Sequence, residues 1–181
     1  KAWTDALNEG ANGAFTVKFY PGASLANHDP VQEFKALQNN TIDIAVGSAL
    51  QWSDAFPPLG VFALPWIAPS NRELAAVVAD PAVQSQLAAK LDEAGVSLVA
   101  IATLRHRDLS TQSREIAAPS DLKNLRVRVP GSKLVTDTYI ALGAMPSGLT
   151  LEDARKAFTD GTLDGQDNSA VAVVMGRAWA T

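Results

Sequence analysis

Stretches with a period of two and stretches with a helical period interleave along the whole chain. FTVKFYPG (residues 15–22) alternates apolar and polar positions and then turns at Pro21-Gly22, which predicts a strand. TIDIAVGS (41–48) and VSLVAIATL (96–104) are short apolar runs of the kind buried on both faces of a sheet. LRVRV (125–129) predicts a further strand, stopped by Pro130-Gly131. Between these lie helical patterns. Residues 1–9 read as a helix closing near Gly10 and Gly13. In DPVQEFKALQNN (29–40), Asp29 is the N-cap and Pro30 the first helical residue. NRELAAVVAD (71–80) and PAVQSQLAAKLDEAG (81–95) follow, the second closed at Gly95. A short helical turn capped by Ser120 precedes the arginine strand. SKLVTDTYIALGA (132–144) is a helix closed by Gly143, and LTLEDARKAFTDG (149–161) a helix capped by Thr150. TLDGQDNSAV (162–171) reads as strand or turn, and FPPLGVFALPWIAPS (56–70) as a connection stiffened by proline. Alternating strands and helices predict an α/β fold with mainly parallel sheets.

The pattern also echoes itself. KALQNNTID (35–43) and KAFTDGTLD (156–164) share Lys, Ala, Thr and Asp in register. Upstream, VKFYPG (17–22) resembles VRVPG (127–131), and both pairs run strand, Pro-Gly, helix, Thr-x-Asp turn. Two matches in the same order predict two related α/β lobes, residues 1–104 and 105–181. Ligands of open α/β sheets sit outside the carboxyl ends of the strands, so a crevice between two such lobes is the expected binding place.

That places the arginines. Leu125, Val127 and Val129 share one face of their strand, and Arg126 and Arg128 the other. Arg128 lies near the carboxyl end. A guanidinium is a rigid donor fork that matches a carboxylate, and the contact strengthens where water is excluded. The plainer alternative is that both arginines face solvent or pair with nearby carboxylates.

Composition narrows the picture. The 181 residues carry a net charge of −4 and a sequence pI near 5.1, which disfavours nucleic acid as a partner. With no cysteine, disulfides, thiolate metal sites and cysteine nucleophiles are excluded. No apolar run is long enough to span a membrane, and no signal-peptide pattern is visible. The chain opens on Lys1-Ala2-Trp3 and closes on MGRAWAT as if within elements, so a fragment of a longer chain is expected.

Several segments together resemble the solute receptors of TRAP transporters, the DctP-like periplasmic proteins. They are YPGASLANHDPVQEFKALQNNTIDIAVGS, GVFALPWIAPS, DLKNLRVRVPGS and ALGAMPSGLTLEDARKAFTDGTLDGQDN, in the family's order. The resemblance implies a two-lobe, type II clamshell periplasmic-binding-protein fold, incomplete at both ends. The first lobe would lack its first strand, and the second would stop before the return to the first lobe. It implies a periplasmic receptor that binds a small organic carboxylate between the lobes and delivers it to a TRAP membrane permease, without being an enzyme and without a metal or other cofactor. The family's ligand arginine falls on Arg128, a second on Arg107, and its ligand-contacting asparagine on Asn168. Asp167 stands where Glu is usual and Gly148 where Pro is common. Leu151 stands where an aromatic often lines the ligand. These departures bear on substrate class.

Other residues divide between a role at the site and a structural one. Ser48 ends a predicted strand and could offer a hydroxyl to a ligand, or serve as a turn residue. Trp52 could wall a cleft, whereas packing suits Trp66 better. His28 and His106 lack partners at metal-ligand spacing. Arg105-His106-Arg107 is a local cationic cluster, and Asp43 and Asp164, as repeat partners, suit turns. The alternative function is an α/β enzyme clamping a small anion with Arg107 and Arg128, with Asp167 or His106 as general base.

Overall fold

The computed structural model describes residues 2–103 and 106–175. The chain divides into two compact units, residues 1–46 and 47–181. In the first, α1 (Ala2–Gly10) is tied to the extended segment after it: Asn8 Nδ2 donates to the Val17 carbonyl at 3.0 Å, and Val17 N–H donates to Asn8 Oδ1. Helix α2 (Pro30–Gln38) starts where Asp29 accepts from Val31 N at 2.8 Å, and it buries Phe34 completely. It ends at Asn40 in the left-handed region (φ 59°), with Thr41 and Ile42 N–H both donating to the Ala36 carbonyl.

The second unit opens with the short helix α3 (Ala49–Trp52) and a 3₁₀ stretch over Pro57–Ala63. Helices α4 (Asn71–Ala79) and α5 (Pro81–Glu93) follow, capped by Ser70 and Asp80. The remaining elements form a four-stranded sheet with its helices: β1 (Asp108–Thr111), β2 (Arg126–Arg128), α6 (Lys133–Ala141), β3 (Met145–Ser147), α7 (Leu151–Thr159), β4 (Gly165–Asn168) and α8 (Ala170–Met175). The strand order is β1-β4-β2-β3. β2 is parallel to both neighbours, and β1 is antiparallel to β4.

Side-chain alternation on β2 builds the two faces. Leu125, Val127 and Val129 are at most 1% exposed and pack with Leu122, Val135, Tyr139 and Ala144, so α6 covers that face. Ala154, Phe158 and Leu163 bring α7 and the approach to β4 into a second cluster. Gly165 lets β1 close on β4, since a Cβ there would lie 2.6 Å from the Ser110 carbonyl oxygen.

Three expected strands take another form. Residues 15–20, 44–48 and 96–103 form no ladder, and Val46 and Val99 are each 86% exposed. A β-strand is defined by its neighbour, and apolar alternation does not supply one. Conversely β1 and β3 were not expected as strands, being too short to show a period. Asp121, rather than Ser120, caps the turn at Pro119–Leu122, accepting from Ala117 and Ala118 N–H at 3.0 and 2.8 Å. Trp66 is not packed: it is 83% exposed.

The repeat seen in the sequence has a structural counterpart in its helix ends. Gly161 occupies the position of Asn40, also left-handed (φ 65°), and Thr162 and Leu163 N–H both donate to the Ala157 carbonyl. Both units therefore close the corresponding helix in the same way.

Candidate functional site

The carboxyl ends of β2, β3 and β4 lie together, and the antiparallel β1 starts at the same end, opposite Asn168. Arg128, Ser147, Asp167 and Asn168 therefore gather at this edge, with Arg107 entering just before β1. Alternation sends their side chains to different faces. Arg128 pairs in register with Gln166, which puts it on the face opposite Asp167.

Arg126 and Arg128 share a face but not a fate. Arg126 is matched by Asp164, whose Oδ2 accepts from Arg126 N and Nε at 2.9 Å each, and whose Oδ1 accepts from Nη2. That fork pulls the Asp164 carboxyl down to about 2. Arg128 is 9% exposed and has no carboxylate partner among the described residues; its Nε donates to the Leu149 carbonyl at 2.9 Å. Burial lowers its pKa from the ordinary arginine value, the positive charge of Arg107 lowers it further, and Asp167 opposes both. A guanidinium stays protonated under such shifts, so Arg128 is a buried cation whose charge is only partly balanced.

Arg107 and Asp167 form the other half of the edge. Arg107 Nε donates to Asp167 Oδ1, and its Nη2 donates to the Asp167 carbonyl at 2.7 Å. The second carboxylate oxygen, Oδ2, accepts from the Tyr139 hydroxyl at 3.0 Å. Burial, followed by the Asp167 charge, pushes the Tyr139 hydroxyl pKa well above its ordinary value, so the phenol donates as a neutral group.

Of the residues expected at a site, Arg128, Arg107 and Asn168 meet at this edge. Asn168 is 8% exposed, and its Oδ1 accepts from Ser169 N at 2.9 Å. Leu151 is 52% exposed at the start of α7. Ser48 is exposed and precedes α3, without a side-chain cap bond. His106 is held elsewhere: its ring nitrogens lie 2.8 Å from Asn71 Oδ1 and 2.8 Å from the Ala68 carbonyl oxygen, so it anchors the strand entry to α4. Arg105, expected beside it, lies outside the described residues. The Trp52 ring lies over Gly47, where any Cβ would fall within 2.2 Å of it. His28 closes a turn through Gly22. Tyr139 was missed as a site residue because its helical period reads as core, and only its hydroxyl points to another use. Among the described residues, no group of His, Asp and Glu is placed to hold a metal ion.

A buried arginine without a carboxylate partner among the described residues, at the carboxyl ends of parallel strands in an α/β fold, is the kind of feature that suits an anion. Residues 1–177 match the family described as bacterial extracellular solute-binding protein, family 7, and the chain belongs to that family. It superposes on a TRAP periplasmic solute-binding protein of Ralstonia eutropha H16, solved with bound (S)-2-acetolactate. The TM-score is 0.88 and the identity 36%, over 98% of this chain and 56% of that one. A TRAP periplasmic solute-binding protein of Haemophilus influenzae, solved with bound L-gulonate, has the same fold at 23% identity and TM-score 0.81, covering 98% of this chain and 57% of that one. The C4-dicarboxylate-binding periplasmic protein DctP of Rhodobacter capsulatus is 28% identical over 87% of this chain and 46% of its own length. The chain thus spans about half the length of the relatives it matches. The α/β fold is that of TRAP periplasmic receptors of the type II clamshell kind, whose members bind small organic acids. No helix among the described residues is long and apolar enough to cross a membrane.

Proposed function

We propose that the protein is an extracytoplasmic receptor that binds a small organic carboxylate at the strand-end edge around Arg128. It would act in the periplasm and hand its ligand to a TRAP membrane permease. The observation that carries this reading is the buried Arg128 guanidinium, held in place by the Leu149 carbonyl and given no carboxylate of its own. Leaving a buried charge unpaired is costly, and a ligand carboxylate supplies the missing partner. Arg107 would add a second charge-assisted donor and Asn168 an orienting amide. Ser48 and Leu151 would line the ligand from residues outside the sheet. The wider architecture is a pair of lobes, residues 1–104 and 105–181, with the ligand held between them as they close.

The neighbouring receptor supports a substrate class. Arg107 and Arg128 are the cations at the edge, and Asp167 is already matched by Arg107, which leaves Arg128 as the donor for a ligand carboxylate. The ligand of the 36%-identical Ralstonia receptor, (S)-2-hydroxy-2-methyl-3-oxobutanoate, carries one carboxylate beside uncharged oxygens. A 2-hydroxy or 2-oxo monocarboxylate is therefore the favoured substrate. The enzymatic alternative needs a free base at the site. Both Asp167 oxygens are engaged by Arg107 and Tyr139, and both His106 ring nitrogens face protein oxygens.

Thermal shift of the full-length protein against small carboxylates and their amides tests this. A ligand at about 100 times its Kd adds roughly 2.7 kcal/mol of stability. Stabilisation by one acid, absent with its amide and absent in Arg128→Gln, is expected. An Arg128→Gln protein with unchanged affinity would overturn the assignment.

A further inference from the structure

We infer that Asp54 is a positioning residue of the receptor: its carboxylate caps α6 from a distant part of the chain and so holds the segment that begins at Ser48 against the helix leaving the carboxyl end of β2. The inference rests on the anion-site reading given above.

Helix α6 has no cap from its own N-cap side chain. Ser132 holds that position with the extended backbone it requires (φ −157°, ψ 125°), but its side chain accepts from none of the first helical N–H groups. Ser132 is 3% exposed, and its hydroxyl has no hydrogen-bond partner within the protein. The first helical N–H, that of Lys133, goes to Asp54 instead. It donates to Oδ1 at 2.9 Å and to Oδ2 at 3.1 Å, across 79 residues of chain. A carboxylate placed there also meets the positive end of the helix dipole. Apolar contacts hold the same junction. Leu50 packs against the cluster under β2 that α6 covers. Gly60 lies between Ser53 and Leu134: a Cβ there would be 3.4 Å from Ser53 Cβ and 3.7 Å from Leu134 Cδ2. Ser53 is buried, and its hydroxyl closes α3 by donating to the Leu50 carbonyl at 2.6 Å.

The junction ties together two parts of the chain that carry proposed ligand contacts. On one side, Ser48 precedes α3, and the Trp52 ring lies over Gly47. On the other, α6 begins just past Arg128 and the Pro130-Gly131 turn. Both partners belong to the compact unit of residues 47–181. The bond therefore sets where Ser48 sits relative to the end of β2 before any ligand arrives. In the two-lobe arrangement proposed above, it is a point at which residues 1–104 stay joined to the sheet. A contact residue fixed in advance spares the ligand the cost of ordering it. Asp54 thus acts on binding through Ser48 and α3, without touching the ligand.

The donor can be removed as well as the acceptor. Lys133 is the first residue of α6, where proline is favoured, and Ser132 before it already has the extended backbone that a following proline demands. Lys133→Pro deletes the N–H and keeps the helix, while Lys133→Ala keeps the N–H and loses only the ammonium. Asp54→Ala, Lys133→Pro and their combination are compared in the full-length protein. Hydrogen exchange without ligand reads the tie itself. The amides of Ala55 and Phe56, which donate to the Trp52 carbonyl, should exchange about fivefold faster in either variant and no faster again in the double one. Unchanged exchange, or effects that multiply in the double variant, would overturn the inference whether or not an acid binds. Titration calorimetry with (S)-2-acetolactate, L-malate, L-gulonate and D-glucuronate reads its effect on the site. For an acid that binds, each variant should weaken affinity about fivefold, the size of one helix cap, and the double variant no further. Lys133→Ala should weaken it less than twofold. Faster exchange with unchanged affinity would mean a structural tie only, and would overturn the positioning role. Failure of the parent reading looks different: Arg128→Gln would bind as the parent protein does, while exchange at Ala55 and Phe56 would still respond to Asp54→Ala.

Discussion

Arg126 and Arg128 stand two residues apart on one strand face, and their different surroundings give them different uses. Arg126 meets Asp164, which also accepts from the Arg126 backbone N–H, so this pair locks β2 to the turn before β4. The Asp164 carboxyl is depressed to about 2 in the fold, chiefly by the Arg126 hydrogen bond. A depressed carboxyl stabilises the fold above its unfolded pKa, near 3.9, and that stability is lost as pH falls through the folded value. Acid unfolding of the parent protein should therefore steepen between about pH 4 and 2. In Arg126→Gln this part of the slope should flatten in a pH series of denaturant melts. A slope that does not change would assign acid sensitivity to other carboxyls. From sequence, Arg128 is set apart from Arg126 by its place near the carboxyl end of the strand and by the family resemblance. What separates them in the fold is the position of Asp164, 38 residues away, which strand alternation does not specify.

At the scale of elements, caps and tight contacts can be tested one by one. Asp29 and Thr150 accept the first free N–H groups of α2 and α7. Replacing either with Ala should cost about 1 kcal/mol in chemical denaturation. Gly161 ends α7 at φ 65° with nothing within 4 Å of a built Cβ. Gly161→Ala should thus cost only the backbone penalty, about 1 kcal/mol. Gly165→Ala should cost more, because its Cβ would meet the Ser110 carbonyl oxygen at 2.6 Å and Thr111 Cγ2 at 3.1 Å. A larger loss of stability at 165 than at 161 is expected, with loss of the β1–β4 amide protection in hydrogen exchange. Equal losses would mean that β1 yields without strain. The helices and their caps were legible because capping and 3.6-residue periodicity act over a few neighbours. Strands β1 and β3, of four and three residues, were not, because so few positions carry no period.

At the scale of the whole molecule, the sheet of the second unit holds the candidate site, whereas residues 96–103 form no ladder and residues 98–101 lie near Gln84 and Ala88 of α5. In the 181-residue chain, amides of residues 98–101 should exchange rapidly in D₂O, while those of β2 and β4 exchange slowly. Slow exchange at 98–101 would show that the segment finds a partner in solution. The chain's −4 net charge leaves anion attraction to local cations, so ligand association should weaken with salt only as far as Arg107 and Arg128 are screened.

The sequence by itself determined the α/β class, the helix starts and stops, the family, and the cluster of residues from which a carboxylate site is drawn. Those rest on local periodicity, caps and contiguous motifs. Tertiary structure alone decided which arginine is neutralised and which is left open. It decided that His106 anchors the entry to β1, and that a core tyrosine reaches Asp167. Each of these depends on which distant residue ends up across a strand or under a helix, a fact carried by the register of β1, β2 and β4 and by the packing of α6.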